Sequence, residues 1–200
     1  LLILPMFHSF TFTVCIMMPL SIGAGIVLVP SVLPFDRVLR NMIFRRATLF
    51  AAVPQIFQVL AAKKLPGWLR FLIRLRLCVS GAAALPASVM EAFEKNVGIP
   101  LLEGYGLSEA SPVVSINPLR GVRKPGTVGL PIPGVSVRIV DDAANPVAVG
   151  QIGEVAVKGP NVMKGYLNNP AATAQTIKDG WLLTGDMGVM DGDGYLKIVD

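Results

Sequence analysis

Residues 103–109 of this chain place groups that suit a nucleotide within seven positions. The run Glu-Gly-Tyr-Gly-Leu-Ser-Glu offers two glycines that let the backbone approach a ligand, a ring that can stack on a base, and a hydroxyl that can reach a phosphate. Its last carboxylate, that of Glu109, supplies the oxygen ligand that Mg²⁺ prefers. The apolar run 97–102 predicts a short strand just before it, and open α/β sheets bind ligands at the carboxyl ends of their strands.

The composition indicates a globular chain with unevenly distributed charge. The 200 residues are 52% hydrophobic and 16% charged, which allows one large or two small domains with a sizeable core. Residues 1–90 carry nine Lys or Arg and a single acid, Asp36, whereas residues 91–200 carry nine basic and twelve acidic residues. A basic first part suits an anionic membrane surface or an acidic ligand or partner. Because long basic runs, zinc-finger spacing and RNA-binding aromatic motifs are missing from the sequence, we expect no nucleic acid partner.

The first 35 residues carry no formal charge, which raises the question of a membrane span. Two prolines interrupt the stretch and no basic segment precedes it, so we predict a buried helix over 10–20 and a buried strand over 25–29 instead. Cys15 and Cys78 lie in apolar surroundings and are interpreted as buried free thiols of a reducing, cytoplasmic protein, with a disulfide as the alternative.

Helix and strand patterns alternate over residues 1–119. The predicted helices cover 35–46, 54–62, 65–74 and 86–96, and the predicted strands cover 48–52, 76–79 and 97–102. Strand–helix alternation of this kind predicts an α/β fold with a mostly parallel sheet covered by helices.

Short strands separated by glycine and proline dominate residues 120–200. The predicted strands cover 135–140, 153–157, 181–183 and 195–199, with a hairpin turn at 191–194. This pattern predicts a small antiparallel β subdomain or distorted barrel, and it places the boundary between the two parts at residues 119 and 120.

Six stretches, in this order, resemble the AMP-forming acyl-CoA synthetases of the adenylate-forming superfamily. They are Leu-Pro-Met-Phe-His-Ser-Phe at 4–10, Ser-Gly-Ala-Ala-Ala-Leu at 80–85, the loop at 103–117, Lys-Pro-Gly-Thr-Val-Gly-Leu-Pro at 124–131, Gly-Glu-Val through Gly-Tyr at 153–166, and Asp-Gly-Trp-Leu-Leu-Thr-Gly-Asp at 179–186. The resemblance covers nearly the whole chain. The run Pro-Val-Val-Ser-Ile-Asn looks most like the long-chain fatty acid branch, which includes bacterial acyl–acyl carrier protein synthetases.

The resemblance implies ATP, Mg²⁺ and coenzyme A as cofactors and co-substrates. In the family a fatty acid carboxylate attacks the α-phosphate of ATP, giving acyl-AMP and pyrophosphate, and a thiol then attacks the acyl carbon and releases AMP. Acyl carrier protein is the alternative thiol acceptor. Luciferase-like oxidation and a non-catalytic membrane or binding protein are remoter alternatives. The family's glycine-rich phosphate loop and its catalytic lysine are absent, so we expect a fragment of the large N-terminal domain that is inactive as a ligase by itself.

The resemblance also implies a role for each residue of the 103–109 loop. Tyr105 would stack on adenine between Gly104 and Gly106. Ser108, where the family more often has Thr, would bind the α-phosphate, and Glu109 would hold Mg²⁺. Glu103 has two interpretations, a nucleotide contact or a brace that accepts hydrogen bonds from loop backbone.

Residues outside that loop complete the implied site. Gly81, Ala82 and Ala83 would line its adenine and acyl side. Asp186 would accept both ribose hydroxyls, with a turn residue as the alternative. His8 would lie at the carboxylate and acyl entrance, with simple packing as its alternative. Ile198 is a further predicted nucleotide contact, and residues 121–129 would shape the acyl tunnel.

Residues 63–74 are basic and amphipathic and include a tryptophan, which is typical of helices that lie on anionic membranes. An ordinary packed helix is the alternative. If the membrane hypothesis holds, replacing Lys63, Lys64, Arg70 and Arg74 with Gln will reduce co-sedimentation with anionic liposomes; unchanged binding would contradict it.

Overall fold

The computed structural model describes residues 1–63 and 72–199 of the chain, and its contacts form two compact units, Leu1–Glu103 and Gly104–Asp200. Residues 64–71, most of the helix predicted over 65–74, lie outside the described residues, so this helix and the membrane hypothesis stay predictions. The domain boundary that composition placed at residues 119 and 120 stays a prediction. The division between the two compact units falls within a strand, between Glu103 and Gly104.

A three-stranded parallel sheet forms the centre of the first unit. The elements of this unit are a π-helix Thr11–Met17 that continues as α1 (Met18–Ser21), then α2 (Phe35–Phe44), β1 (Leu49–Ala52), α3 (Pro54–Ala62), β2 (Leu77–Ser80), α4 (Ala87–Val97) and the start of β3 (Leu101–Gly106). β2 lies between β1 and β3, with Leu49 opposite Leu77 and Cys78 opposite Leu101. Parallel neighbours need crossover connections, and α3 and α4 lie in those connections. The predicted parallel α/β architecture is confirmed.

Aromatic packing joins the helices of the first unit to its sheet. The rings of Phe50 in β1 and Phe57 in α3 meet edge to face at 5.7 Å, and Phe57 meets Phe93 of α4 at 5.4 Å. All three side chains are fully buried. Edge-to-face pairs add about 0.5–1.5 kcal/mol to the free energy of burial, so this triple fixes α3 and α4 against the sheet.

The first 35 residues differ from their prediction in two ways. A helix is present, but it buries only Thr11 and Cys15, and Ile22 beyond its end is 73% exposed. The strand predicted over 25–29 was wrong, because this segment makes a single bridge, between Leu2 and Leu28. Residues 1–35 carry no formal charge, so their sequence offers no charged face from which to infer the side that packs. Within the described ranges, no helix has the length and apolar character that crossing a bilayer requires.

Antiparallel strands build the second unit. The end of β3 pairs with β4 (Val113–Ile116), which pairs with β5 (Leu130–Pro131). The remaining elements are β6 (Ser136–Val140), β7 (Gly153–Lys158), α5 (Pro170–Thr176), β8 (Ile177–Lys178), β9 (Trp181–Met190) and β10 (Leu196–Ile198). The second sheet has the order β10–β9–β7–β6, and β8 pairs with β9. The predicted antiparallel subdomain is confirmed, but the strand predicted over 181–183 continues to Met190.

Alternating apolar residues give the second unit a core of its own. Val155 and Val157 of β7, Leu182 of β9 and Leu196 of β10 are fully buried together. Side chains two positions apart on a strand face the same side of the sheet, so this spacing turns one face of each strand inward. On β7 the opposite face carries the polar residues Glu154 and Lys158 beside the buried Ala156.

We expect Gly106→Ala to lower the free energy of unfolding by roughly 2–4 kcal/mol, because a Cβ at this position would lie 1.9 Å from the carbonyl oxygen of Pro112. Gly192→Ala is the matched control, since a Cβ there meets no atom within 4 Å. Urea denaturation measures both variants. Equal stability of the two would contradict the close approach seen at Gly106.

Candidate functional site

The turn that follows β3 presents Ser108 and Glu109 at the surface of the second unit. After Gly106 the chain makes one 3-10 turn, Ser108–Ala110, and Ser111 has a left-handed φ of 58°. The N–H of Leu107 donates to the carbonyl oxygen of Pro112 at 2.9 Å and closes the loop. Ala110 is fully buried whereas Ser108 is exposed, so the loop is anchored by an apolar residue and displays its polar ones.

An enlarged bulge in β9 positions Asp186. Glu154 pairs with Met187 and Ala156 pairs with Leu183, so three residues of β9, 184–186, lie opposite Val155 alone. The Thr184 hydroxyl donates to the carbonyl oxygen of Val155 at 2.8 Å, and the Glu154 carboxylate accepts the N–H of Gly185 at 2.8 Å. Bulges leave backbone groups unpaired and redirect side chains, and these two contacts satisfy the freed groups.

Tyr105 and Asp186, which are 81 positions apart, form a direct hydrogen bond. The Tyr105 hydroxyl donates to Asp186 Oδ2 at 2.5 Å. Burial raises the pKa of Tyr105, and the bond to Asp186 raises it further, so the phenol keeps its proton at neutral pH. The structure therefore joins two of the predicted site residues, with Oδ1 as the second acceptor of the Asp186 carboxylate.

Residues 159–166 form hydrogen bonds with the loop that carries Ser108 and Glu109. No role was assigned to these residues from the sequence. The Tyr166 hydroxyl donates to Glu109 Oε1 at 2.9 Å, which raises the pKa of Tyr166. Asn161 Nδ2 donates to the carbonyl oxygens of Ala110 and Val113 at 3.0 and 2.9 Å. Only the Gly-Tyr ending of the 153–166 motif marked this stretch in the sequence, and neither Asn161 nor Tyr166 was predicted.

In the first unit Glu103 braces a loop other than its own. Its side chain is 4% exposed, and Oε1 accepts the N–H of Leu85 at 2.7 Å. Burial raises the pKa of Glu103 to about 7, although the hydrogen bond from Leu85 opposes that shift. This contact favours the bracing interpretation of Glu103, with the loop after β2 as the segment that it supports.

The loop after β2 contains Gly81, Ala82 and Ala83. A Cβ on Gly81 would lie 3.2 Å from the ring of Phe10, so the glycine allows a close approach. Ala82 has a φ of 66°, and both alanines are exposed. Their assignment to the adenine and acyl side of a site stays a prediction.

The two remaining predicted residues lie in different settings. His8 is exposed, and its ring centroid is 4.5 Å from that of Phe7. Ile198 ends β10 opposite Gly188 and packs against the core of the second unit. Both ligand roles stay predictions, as do those of Ser108, Glu109 and Gly104.

Lys124 forms ion pairs with two aspartates of the turn at 191–194. Asp191 Oδ1 accepts the N–H groups of Asp193 and Tyr195 at 2.9 Å, as in a hairpin turn. Lys124 Nζ lies 2.5 Å from Asp191 Oδ2 and 2.7 Å from Asp193 Oδ2, and the hydrogen bond from Lys124 lowers the pKa of Asp191. The two hydrogen bonds to Asp191 Oδ1 and the antiparallel pairing of β9 with β10 confirm the predicted hairpin turn at 191–194. In the described part of the chain, His, Cys, Asp and Glu do not gather in the threes that would hold a metal ion by themselves.

Comparisons with known proteins all point to one family. The family model described as AMP-binding enzyme matches residues 1–167. The long-chain-fatty-acid–CoA ligase of Bacillus subtilis (strain 168) is 40% identical over 200 residues, and that of Salmonella typhimurium is 39% identical over 197 residues. These matches cover 99% and 98% of this chain but 35% of each relative. The chain thus spans about a third of the length of these relatives.

Solved structures give the same result. The crystal structure of ATP-bound MatB from Rhodopseudomonas palustris superimposes with a TM-score of 0.90 at 34% identity, and it covers 98% of this chain and 39% of MatB. At this similarity the two folds correspond through nearly all of the present chain.

Stability should depend on pH through Glu103. Its pKa is raised from 4.5 to about 7, so the fold holds the protonated form more tightly than the unfolded chain does. The resulting contribution, about 1–3 kcal/mol, is complete below pH 4.5 and is lost as the pH rises through 7.

Glu103→Gln keeps an acceptor for Leu85 and removes the titration, so we expect a flatter dependence of unfolding free energy on pH between 4.5 and 7. Urea denaturation at several pH values measures it, with Glu91→Gln on the exposed side of α4 as the control. An unchanged slope in Glu103→Gln would show that another group causes the pH dependence.

Proposed function

The chain belongs to the AMP-binding enzyme family, and we propose that the protein is an AMP-forming long-chain fatty acid–CoA ligase. The fatty acid carboxylate would attack the α-phosphate of ATP, giving acyl-AMP and releasing pyrophosphate, and the thiol of coenzyme A would then take the acyl group and release AMP. The hydrogen bond between Tyr105 and Asp186 is the observation that carries the proposal. It gathers an aromatic ring and a carboxylate, the two groups needed for a base and a ribose, from distant points of the sequence.

Three residues of the second unit would bind different parts of the nucleotide. The Tyr105 ring would stack on adenine, while its hydroxyl holds the Asp186 carboxylate in place for the ribose hydroxyls. The exposed Ser108 hydroxyl would donate to the α-phosphate. Phosphoryl transfer depends mainly on positioning and on charge neutralisation, and hydrogen-bond donors fixed by the fold supply both without reorganising during the reaction.

The residues around Glu109 fit Mg²⁺. Glu109 is half-buried, and its Oε1 accepts the Tyr166 hydroxyl, so Oε2 is the oxygen suited to the ion. Mg²⁺ usually keeps several waters and takes one or two carboxylates together with substrate phosphates, so a single carboxylate is an adequate protein contribution. Bound there, the ion would neutralise charge on the phosphates.

Two observations support a long-chain fatty acid and a thiol acceptor. Both curated relatives named above are long-chain-fatty-acid–CoA ligases, and each aligns with nearly all of this chain. The excess of Lys and Arg in residues 1–90 suits an anionic acceptor. Coenzyme A phosphates and acidic acyl carrier protein both meet that description, so the acceptor is decided by experiment. Cytoplasmic location and peripheral membrane contact stay predictions.

The proposal predicts fatty acid-dependent exchange of pyrophosphate into ATP by the whole protein. We expect Asp186→Asn to raise the KM for ATP about tenfold or more, because it removes a charged acceptor. Asp142→Asn, an exposed residue of the β6–β7 turn, is the matched control.

A panel of acyl chain lengths, each with coenzyme A or with acyl carrier protein, identifies the substrate and the acceptor. If no fatty acid supports exchange, the proposed function is wrong. If exchange occurs but only acyl carrier protein is acylated, the enzyme is an acyl–acyl carrier protein synthetase instead.

A further inference from the structure

The exposed loop that carries Glu109 is held by the segment 159–166 through four hydrogen bonds. Asn161 supplies two of them, to backbone on either side of the loop's turn. The N–H of Met163 donates to the carbonyl oxygen of Glu109 at 2.8 Å. The Tyr166 hydroxyl contributes the fourth, to the Glu109 carboxylate itself. The segment therefore fixes both the backbone and the side chain of Glu109.

The Asn161 side chain bridges the two ends of the turn with hydrogen bonds. Both of its partners, Ala110 and Val113, present carbonyl oxygens, so the amide must face them with its Nδ2 donor group. Oδ1 of the same side chain is buried and has no hydrogen-bond partner among the described residues. Through its two Nδ2 hydrogen bonds, Asn161 fixes the distance between the backbone of Ala110 and that of Val113, at the two ends of the turn.

Tyr166 is itself held in position by the start of α5. Its N–H donates to Thr173 Oγ1 at 2.9 Å, and that hydroxyl donates to the carbonyl oxygen of Asn169 at 3.0 Å. Asn169 caps α5 by accepting the N–H of Ala172 at 3.1 Å. A Cβ at Gly165 would lie 2.8 Å from Thr173, so only glycine permits this approach. The phenol therefore meets Glu109 from a helix-anchored position.

We propose that Asn161 and Tyr166 are positioning residues that set how tightly Glu109 holds Mg²⁺, an inference that rests on the adenylating site proposed above. Tyr166 donates to Oε1 of the Glu109 carboxylate and so presents Oε2 to the ion. Asn161 keeps the backbone of the loop in a fixed position relative to residues 159–166. Neither residue needs to touch a substrate. A purely structural role would lower the amount of folded protein but would leave the Mg²⁺ concentration needed for half-maximal rate unchanged.

The test compares Tyr166→Phe and Asn161→Ala with two matched controls in the whole protein. Tyr195→Phe removes a phenol hydrogen bond to the carbonyl oxygen of Val122, and Asn96→Ala removes an amide hydrogen bond to that of Ala61. We expect both test variants to raise the half-saturating Mg²⁺ concentration about tenfold, with the rate at saturating Mg²⁺ changed less than about threefold. Both controls should keep the wild-type Mg²⁺ dependence.

Two further measurements need no turnover. Mn²⁺ binding in the presence of ATP, followed by electron paramagnetic resonance, should weaken about tenfold in Tyr166→Phe. Backbone amide exchange of residues 107–113, without metal or nucleotide, should accelerate in Asn161→Ala but not in Asn96→Ala.

The outcomes separate this inference from the proposed function. Unchanged Mg²⁺ dependence and unchanged Mn²⁺ binding in both variants of an active enzyme overturn the positioning role alone. If the wild-type protein shows no fatty acid-dependent exchange, yet Tyr166→Phe weakens Mn²⁺ binding, the positioning role stands and the proposed substrate is wrong.

Discussion

The second unit depends on one constraint, that the backbone polar groups of an exposed loop must find partners while its functional side chains stay accessible. In the loop after β3, the N–H of Leu107 donates to the carbonyl oxygen of Pro112. The carbonyl oxygen of Ala110 accepts a hydrogen bond from the Asn161 side chain, 51 positions away. The same solution recurs in the β9 bulge, where a hydroxyl and a carboxylate satisfy the groups that the bulge releases. Polar side chains therefore position other polar side chains in this unit.

The first unit uses different physics. Edge-to-face phenylalanines fix α3 and α4 against the parallel strands, and the loop after β2 is supported by one buried carboxyl group. Burial raises the pKa of Glu103 to about 7, so the carboxyl group that supports this loop changes its protonation near neutral pH. Apolar packing supplies the rigidity here, and the hydrogen bond from Leu85 to Glu103 supports the loop.

The sequence predicted the elements best where local patterns were regular. The helices α2, α3 and α4 and the parallel strands follow apolar spacing, proline at helix starts and Gly98 at a helix end, all of which act within a few residues. The prediction was wrong for 25–29 and for burial of the first helix, because residues 1–35 carry no formal charge from which to infer the side that packs. The strand predicted over 181–183 was too short, because β9 continues to Met190 through the bulge at 184–186.

By itself, the sequence determined the order of the six motifs and the chemical groups they contain. These groups are the Tyr105 ring, the Ser108 hydroxyl, and the Glu109 and Asp186 carboxylates. These are properties of residue type and local spacing, which a chain displays before it folds. Tertiary structure alone decided which groups meet. The bonds from Tyr105 to Asp186 and from Tyr166 to Glu109 join residues 81 and 57 positions apart, so the fold, not local preference, brings these groups together.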